Sequence, residues 1–283
     1  MSLPLDTVGA RPPCVVTLEP DRVLAYAAAT NDDNPAYLSG KYAPPVFGVV
    51  PAWDPLITAV FDVVPPEKKP VMLHAGHDMR FSGPLVPGST LSTVADRFSV
   101  RPSRAGTWVT VRAVSVDLDT GQQVLEQFGT MFVRGWSDVA ASGPDRPDHS
   151  FPSAGRAEAV AAFEGHVDAD QTWRYAAASG DDNRIHVDDE FAKGVGLPGI
   201  ILHGLCTMAM CSRAVIETVA AGDPTRLARL AVRFSKTVLP DSDLVTTVYP
   251  TGEPGSNGAA SSFGFEATSR GERVIRDGRA ELR

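Results

Sequence analysis

Cysteine is scarce in this chain, aromatic side chains are few, and positive charge is in deficit. The three cysteines among 283 residues (Cys14, Cys206 and Cys211) have no metal-ligand spacing and imply a reducing compartment. Cys206 and Cys211 fall in an apolar stretch, where they read as small core residues. A formal net charge of −8 argues against a sequence-independent nucleic-acid binder, which needs a basic face. The apolar stretch from Pro198 to about Val219 is too short, and too interrupted by His203, Arg213 and Glu217, to span a membrane. The first residues, Met1 to Asp6, lack a basic region followed by an apolar one, so no secretory signal is expected. With 43% hydrophobic and 21% charged residues, the expectation is a soluble cytoplasmic protein of one large or two ordinary domains.

What the chain does have is an internal repeat. Tyr26-Ala-Ala-Ala-Thr-Asn-Asp-Asp-Asn-Pro-Ala-Tyr37 matches Tyr175-Ala-Ala-Ala-Ser-Gly-Asp-Asp-Asn-Arg-Ile-His186 at an offset of 149. Met79-Arg-Phe-Ser matches Val232-Arg-Phe-Ser at an offset of 153, and Pro45 matches Pro198 at the same offset. The first copy therefore has a loop four residues shorter between Tyr37 and Pro45 than the second has between His186 and Pro198. Residues 137–156, rich in Ser, Pro, Gly and Asp, mark the join. The expected division is a first repeat over 1–140, a linker over 141–156 and a second repeat over 157–283.

Each copy reads as a short strand, a small helix, a motif loop and a longer helix, followed by strands. In the first, Thr107–Leu118 and Gln123–Arg134 alternate around Thr120-Gly121 as a hairpin; Ser261–Thr268 and Arg273–Leu282 repeat it around Arg270-Gly271. His74 and His77, spaced as His-x-x-His on a strand, should point to opposite faces and read as structural histidines.

The chemistry concentrates in residues 175–188. Asp181, Asn183 and His186 lie at i, i+2 and i+5, a spacing that diverges by about 140° on a helix and falls on opposite faces of a strand. They can share a centre only from an irregular loop, which Ser179-Gly180 would open by ending the preceding helix. A carboxylate and an imidazole so placed are suited to general acid–base work. Farther on, His203-Gly204 would stand at the first turn of an apolar, buried helix, where free backbone N–H groups make an oxyanion position.

At these residues the chain resembles the MaoC-like, R-specific enoyl-CoA hydratases, whose motif runs roughly Tyr-Ala-x-x-Ser-Gly-Asp-x-Asn-Pro-x-His-x-Asp and then Pro-Ile-x-His-Gly-Met. Arg184 replaces the motif proline and Leu205 the final methionine. The resemblance implies an α+β double hotdog, two repeats each with an antiparallel sheet wrapped around a central helix. It implies hydration of trans-2-enoyl-CoA to (R)-3-hydroxyacyl-CoA, or the reverse, with Asp181 and His186 catalytic and Gly204 as the oxyanion donor. Asn183 and His203 would support them, His203 either by orienting substrate or by capping its helix. Arg233 and Lys236 could meet CoA phosphates or be an exposed sheet-edge pair. The implied partner is an acyl-CoA or acyl-carrier-protein thioester, with no metal or redox cofactor, no nucleic acid and no membrane, and the chain is expected to form homodimers.

The first copy departs from the motif where chemistry is sensitive. It keeps Asp32 and Asn34, but Tyr37 replaces the imidazole, Val50 stands opposite His203, and Pro51, which has no N–H, stands opposite Gly204. That copy should be inactive, with the apolar run Pro44–Val50 free to accommodate the acyl chain. Two other functions stay open: a hotdog acyl-CoA thioesterase and a non-catalytic acyl-CoA binding protein.

Overall fold

The computed structural model describes residues 12–150, 158–251 and 261–283. The first copy runs β1 (Cys14–Thr17), α1 (Pro20–Ala29), α2 (Pro35–Leu38), a 3₁₀ turn (Pro45–Ala52), α3 (Trp53–Phe61), β2 (Met72–Phe81), β3 (Thr90–Pro102), β4 (Gly106–Asp117) and β5 (Gln123–Arg134). The second runs β6 (Ala161–Val167), α4 (Gln171–Ser179), α5 (Arg184–Val187), α6 (Asp189–Gly194), α7 (Gly204–Val219), β7 (Leu227–Phe234), β8 (Ser242–Pro250), β9 (Ser261–Ser269) and β10 (Glu272–Leu282). Both expected hairpins form: β4 with β5 and β9 with β10 are antiparallel neighbours.

All ten strands join one sheet in the order β1-β3-β4-β5-β2-β7-β10-β9-β8-β6. Each copy contributes five consecutive strands, and the halves meet antiparallel along β2 and β7. Asp78 lies opposite Ala231, its own counterpart at the offset of 153, so a local two-fold axis passes between them. The motif tyrosines obey the same axis: Tyr26 and Tyr175 meet hydroxyl to hydroxyl at 3.3 Å. This is the α+β double-hotdog arrangement that the resemblance implies.

The seam is stitched on both faces. On the helix side, Leu230 and Val232 of β7 and Met79 of β2 join a core shared with α1, α4 and α7. On the other side, Arg229, 5% exposed, donates to both oxygens of Asp78 (3.0 and 2.7 Å) and to Glu281 (3.1 Å). A buried guanidinium needs such partners, because leaving one charge unpaired costs several kcal/mol. The stretch read as a linker is also fastened: Ser142 bridges Val100, and Arg101 donates to the carbonyls of Ser142 and Gly143 and to Asp145.

Two expectations change. The first copy's long helix is broken: where α7 has sixteen residues, the first copy has a 3₁₀ turn containing Pro51 followed by the nine-residue α3. Pro51, the counterpart of the first residue of α7, has no N–H to bond back into the preceding turn, so turn and α3 do not join in one α-helix. His74 and His77 do not face opposite ways. A register shift between His74 and Gly76 cancels the strand alternation, and their rings meet edge to face with centroids 5.5 Å apart.

Candidate active site

The site is built at the exit of α4. Gly180 ends that helix in the left-handed region (φ 88°), a conformation glycine adopts without a Cβ penalty. The loop then turns on side chains: Ser179 Oγ accepts from the Asp181 N–H, Asp181 Oδ1 from the Asn183 N–H, and Asn183 Oδ1 from the Ile185 N–H. The last bond caps α5, so His186 stands on a one-turn helix rather than on the irregular loop expected. Asn183 is exposed, and its side chain serves this cap.

His186 is buried, and its Nδ1 lies 2.8 Å from the Ile201 carbonyl. A carbonyl only accepts, so Nδ1 carries the proton and Nε2 is left with a bare lone pair. His203 is the residue before α7, but it forms no side-chain cap. Its Nε2 donates to the Asp181 carbonyl (2.9 Å), which leaves Nδ1 bare, buried and without a partner. The two imidazoles stack at 3.7 Å, and Tyr175 closes on the far side of His203 at 4.8 Å. Asp181, His186 and His203 each offer a donor atom within 4.8 Å of the others. A water molecule or a small cation would fit that donor set.

Burial sets the charges. It raises the Asp181 carboxyl and lowers His186, with each partner's charge opposing the shift in the other. His203 is pushed down to about 3 by burial and by the neighbouring His186, so it stays neutral. Gly204 opens α7 beside this group, with the Phe234 ring packed so closely that a Cβ on Gly204 would lie 3.2 Å from it.

Asp181, His186, His203 and the head of α7 at Gly204 thus come together. Arg233 and Lys236 do not join them. Arg233 lies on the face of β7 opposite Phe234, 3.5 Å from Asp277, and Lys236 is 3.9 Å from Glu272. In the first copy, Asp32, Asn34 and Tyr37 are buried, Tyr37 with its hydroxyl unpartnered. Val46, Phe47 and Val49 are packed into the shared core.

Sequence reading missed the supports. Arg22, on α1 of the first copy, donates to the carbonyls of Ala178 and Ser179 at 2.9 Å each, tying down the end of α4. Arg174 on α4 returns the favour to Ala28 at 2.7 Å. Neither carries a local sequence signal, because each acts across the two-fold axis.

Comparison with known proteins agrees with the two-copy fold. Residues 156–262 match the MaoC-like domain model, and residues 10–127 match the FAS1-like dehydratase domain region. The second copy carries a MaoC-like domain and the first a FAS1-like dehydratase region. The chain is 30% identical over 187 residues to 3-hydroxyacyl-thioester dehydratase Y of Mycobacterium tuberculosis, covering 65% of this chain and 63% of that protein. It is 46% identical over 74 residues to the peroxisomal enoyl-CoA hydratase 2 of Arabidopsis thaliana, covering 26% of this chain and 24% of that one. These matches therefore span less than two thirds of the relatives' own length. In fold, a MaoC-like dehydratase from Phytophthora capsici superposes with a TM-score of 0.81 at 24% identity over 96% of both chains. No helix among the described residues is long and apolar enough to cross a membrane.

Proposed function

We propose that this MaoC-like chain adds water reversibly across the double bond of a trans-2-enoyl thioester, giving the (R)-3-hydroxyacyl thioester. The observation that carries this reading is the convergence of Asp181, the bare Nε2 of His186 and the first turn of α7. Asp181 and His186 hold one water. Its oxygen forms the bond to C3 while one of its protons passes to the pair. The π electrons of C2=C3 move toward the thioester carbonyl, whose oxygen gains negative charge beside the Gly204 N–H. C2 then takes a proton from the pair as that charge returns, so the elements of one water have been added. An oxyanion donor of this kind is worth roughly 10²–10³ in rate. His203 holds the Asp181 backbone and stacks under His186, a positioning role.

The first copy would be non-catalytic, with its apolar run Pro44–Val50 flanking the path of the acyl chain. Support comes from Pro51, which can offer no N–H, and from Tyr37 in place of the imidazole. A homodimer of double hotdogs follows from the resemblance. A cytoplasmic location is supported by the three unpaired cysteines.

Incubation with a 2-enoyl-CoA, following loss of enoyl absorbance and release of free thiol in parallel, tests the reaction. Absorbance loss without thiol is expected; thiol release would make the chain a thioesterase, and neither signal a binding protein. Dialysis against a chelator should leave the rate unchanged, whereas a rate restored only by added metal would put an ion where the water is drawn.

A further inference from the structure

Beyond Phe234 from Gly204 lies a second polar pair that the reaction does not use. One side of the Phe234 ring packs on Gly204 and its ring also meets His74 edge to face, with centroids 5.0 Å apart. His74 in turn meets His77 at 5.5 Å, both on the helix side of β2 because of the bulge. Their tautomers follow from their partners. Gln127 donates its Nε2 to the Gly48 carbonyl at 3.1 Å, so its Oε1 faces His77 and accepts from Nε2 at 3.0 Å. His77 Nδ1 is then a bare acceptor, buried and without a partner. His74 bonds the Gly76 backbone, and its Nε2 is likewise buried and unpartnered. Burial holds both rings neutral, with His74 lowered to about 3 and His77 to about 4.

Two bare buried acceptors on neighbouring rings are costly unless a donor reaches them. Across from His77 stands Gly129, where a methyl-sized group would sit in ordinary contact, 3.7 Å from Nδ1 and 3.6 Å from Val111. Gly48, which anchors Gln127, belongs to the 3₁₀ turn proposed to flank the acyl chain. We propose that His74 and His77 form a hydroxyl-recognising subsite, so that the preferred substrate is a 2-enoyl thioester whose acyl chain carries a hydroxyl group beyond the enoyl unit. This rests on the hydratase reading and on the acyl path through the first half. A hydroxyl donates to one nitrogen while a plain alkyl chain leaves both unpaired, and sites built this way discriminate against the analogue lacking the group.

The test uses the full chain and matched pairs of enoyl-CoAs of equal length, with and without a hydroxyl placed at successive positions along the chain. At one or more positions kcat/KM should favour the hydroxylated member by about ten-fold, the order of one hydrogen bond made in place of an unpaired acceptor. His74→Phe, which keeps the contact with Phe234, should collapse that ratio. Gly129→Ala should do the same by filling the space over His77 without removing a hydrogen bond. Calorimetric binding of the matching saturated acyl-CoAs reads the preference without turnover. Failure of hydration with a retained binding preference would therefore overturn the reaction but not the subsite. Equal binding and equal kcat/KM at every position, or a preference that survives both variants, would overturn the subsite and leave the pair as a seat for internal water. Binding of neither series would overturn both.

Discussion

The first copy, proposed to be silent, still holds a carboxylate, and replacing it should separate stability from catalysis. Asp32 is 5% exposed, and burial raises its carboxyl from the ordinary 3.8 to about 6; the Asn34 N–H and Arg213 offset part of the shift, while Glu217 and Asp33 add to it. Its surroundings give little compensation. Oδ1 accepts from the Asn34 N–H at 3.2 Å, while Arg213 is engaged with the Asn31 carbonyl and with Asp33 at 2.7 Å. A raised carboxyl means that the folded chain holds the proton more tightly than the unfolded one. Its contribution is therefore full below about pH 4 and is lost as pH rises through 6. At 1.36 kcal/mol per pKa unit, the ionised form costs the fold up to about 3 kcal/mol at neutral pH and above. Asp32→Asn keeps an oxygen for the Asn34 N–H and removes the charge. The variant should be more stable than wild type at pH 8 by about 1–3 kcal/mol, or roughly 2 °C in Tm per kcal/mol for a chain of this size. Near pH 4 the difference should shrink below about 1 kcal/mol. Denaturant unfolding of both proteins at pH 4, 6 and 8 measures it, and turnover at pH 7 should stay within a few-fold. Equal stability at all three pH values would refute the burial argument. A hundred-fold loss of turnover would refute the silence of the first copy.

The other predictions bear on the active copy. Asp181→Asn and His186→Ala should each cut hydration by about 10²–10⁴ with the unfolding transition retained; near-normal turnover in either would remove that residue from the chemistry. Gly204→Pro removes the N–H at a helix position that tolerates proline, so its kcat should fall by roughly 10²–10³ beyond the steric loss in Gly204→Ala. Equal rates for those two variants would mean that the N–H does not stabilise the oxyanion. Arg22→Ala should lower kcat by about ten-fold while leaving KM close to wild type, because it loosens the loop and not substrate contacts. A rise in KM alone would place Arg22 at the substrate.

The repeat made much of this legible. Matches at offsets of 149 and 153 located both copies, alternation located the hairpins, and the spacing of Asp181 and His186 required a break that Gly180 supplies. What escaped was long-range or local to one backbone irregularity. The bulge before Gly76 turned His77 onto the face of His74, and a period-two pattern cannot register an inserted residue. Arg233 and Lys236, left open by the sequence between CoA phosphates and an exposed pair, stand beside Asp277 and Glu272. His203, left by the sequence between orienting substrate and capping its helix, forms no side-chain cap, and packing stacks its ring on His186.

Pro51 is a change that a symmetric assembly could not tolerate. In a dimer of identical single hotdogs, a proline at the head of the central helix would be written into both sites at once, and no working donor would survive. Here Asp78 and Ala231 sit on the axis of a dimer whose two subunits share one chain, so the two loci mutate independently. One copy can keep the reaction while the other explores what it binds. Specificity can then drift without a toll on the chemical step, and natural or laboratory variants with new acyl preferences should accumulate their changes before the join.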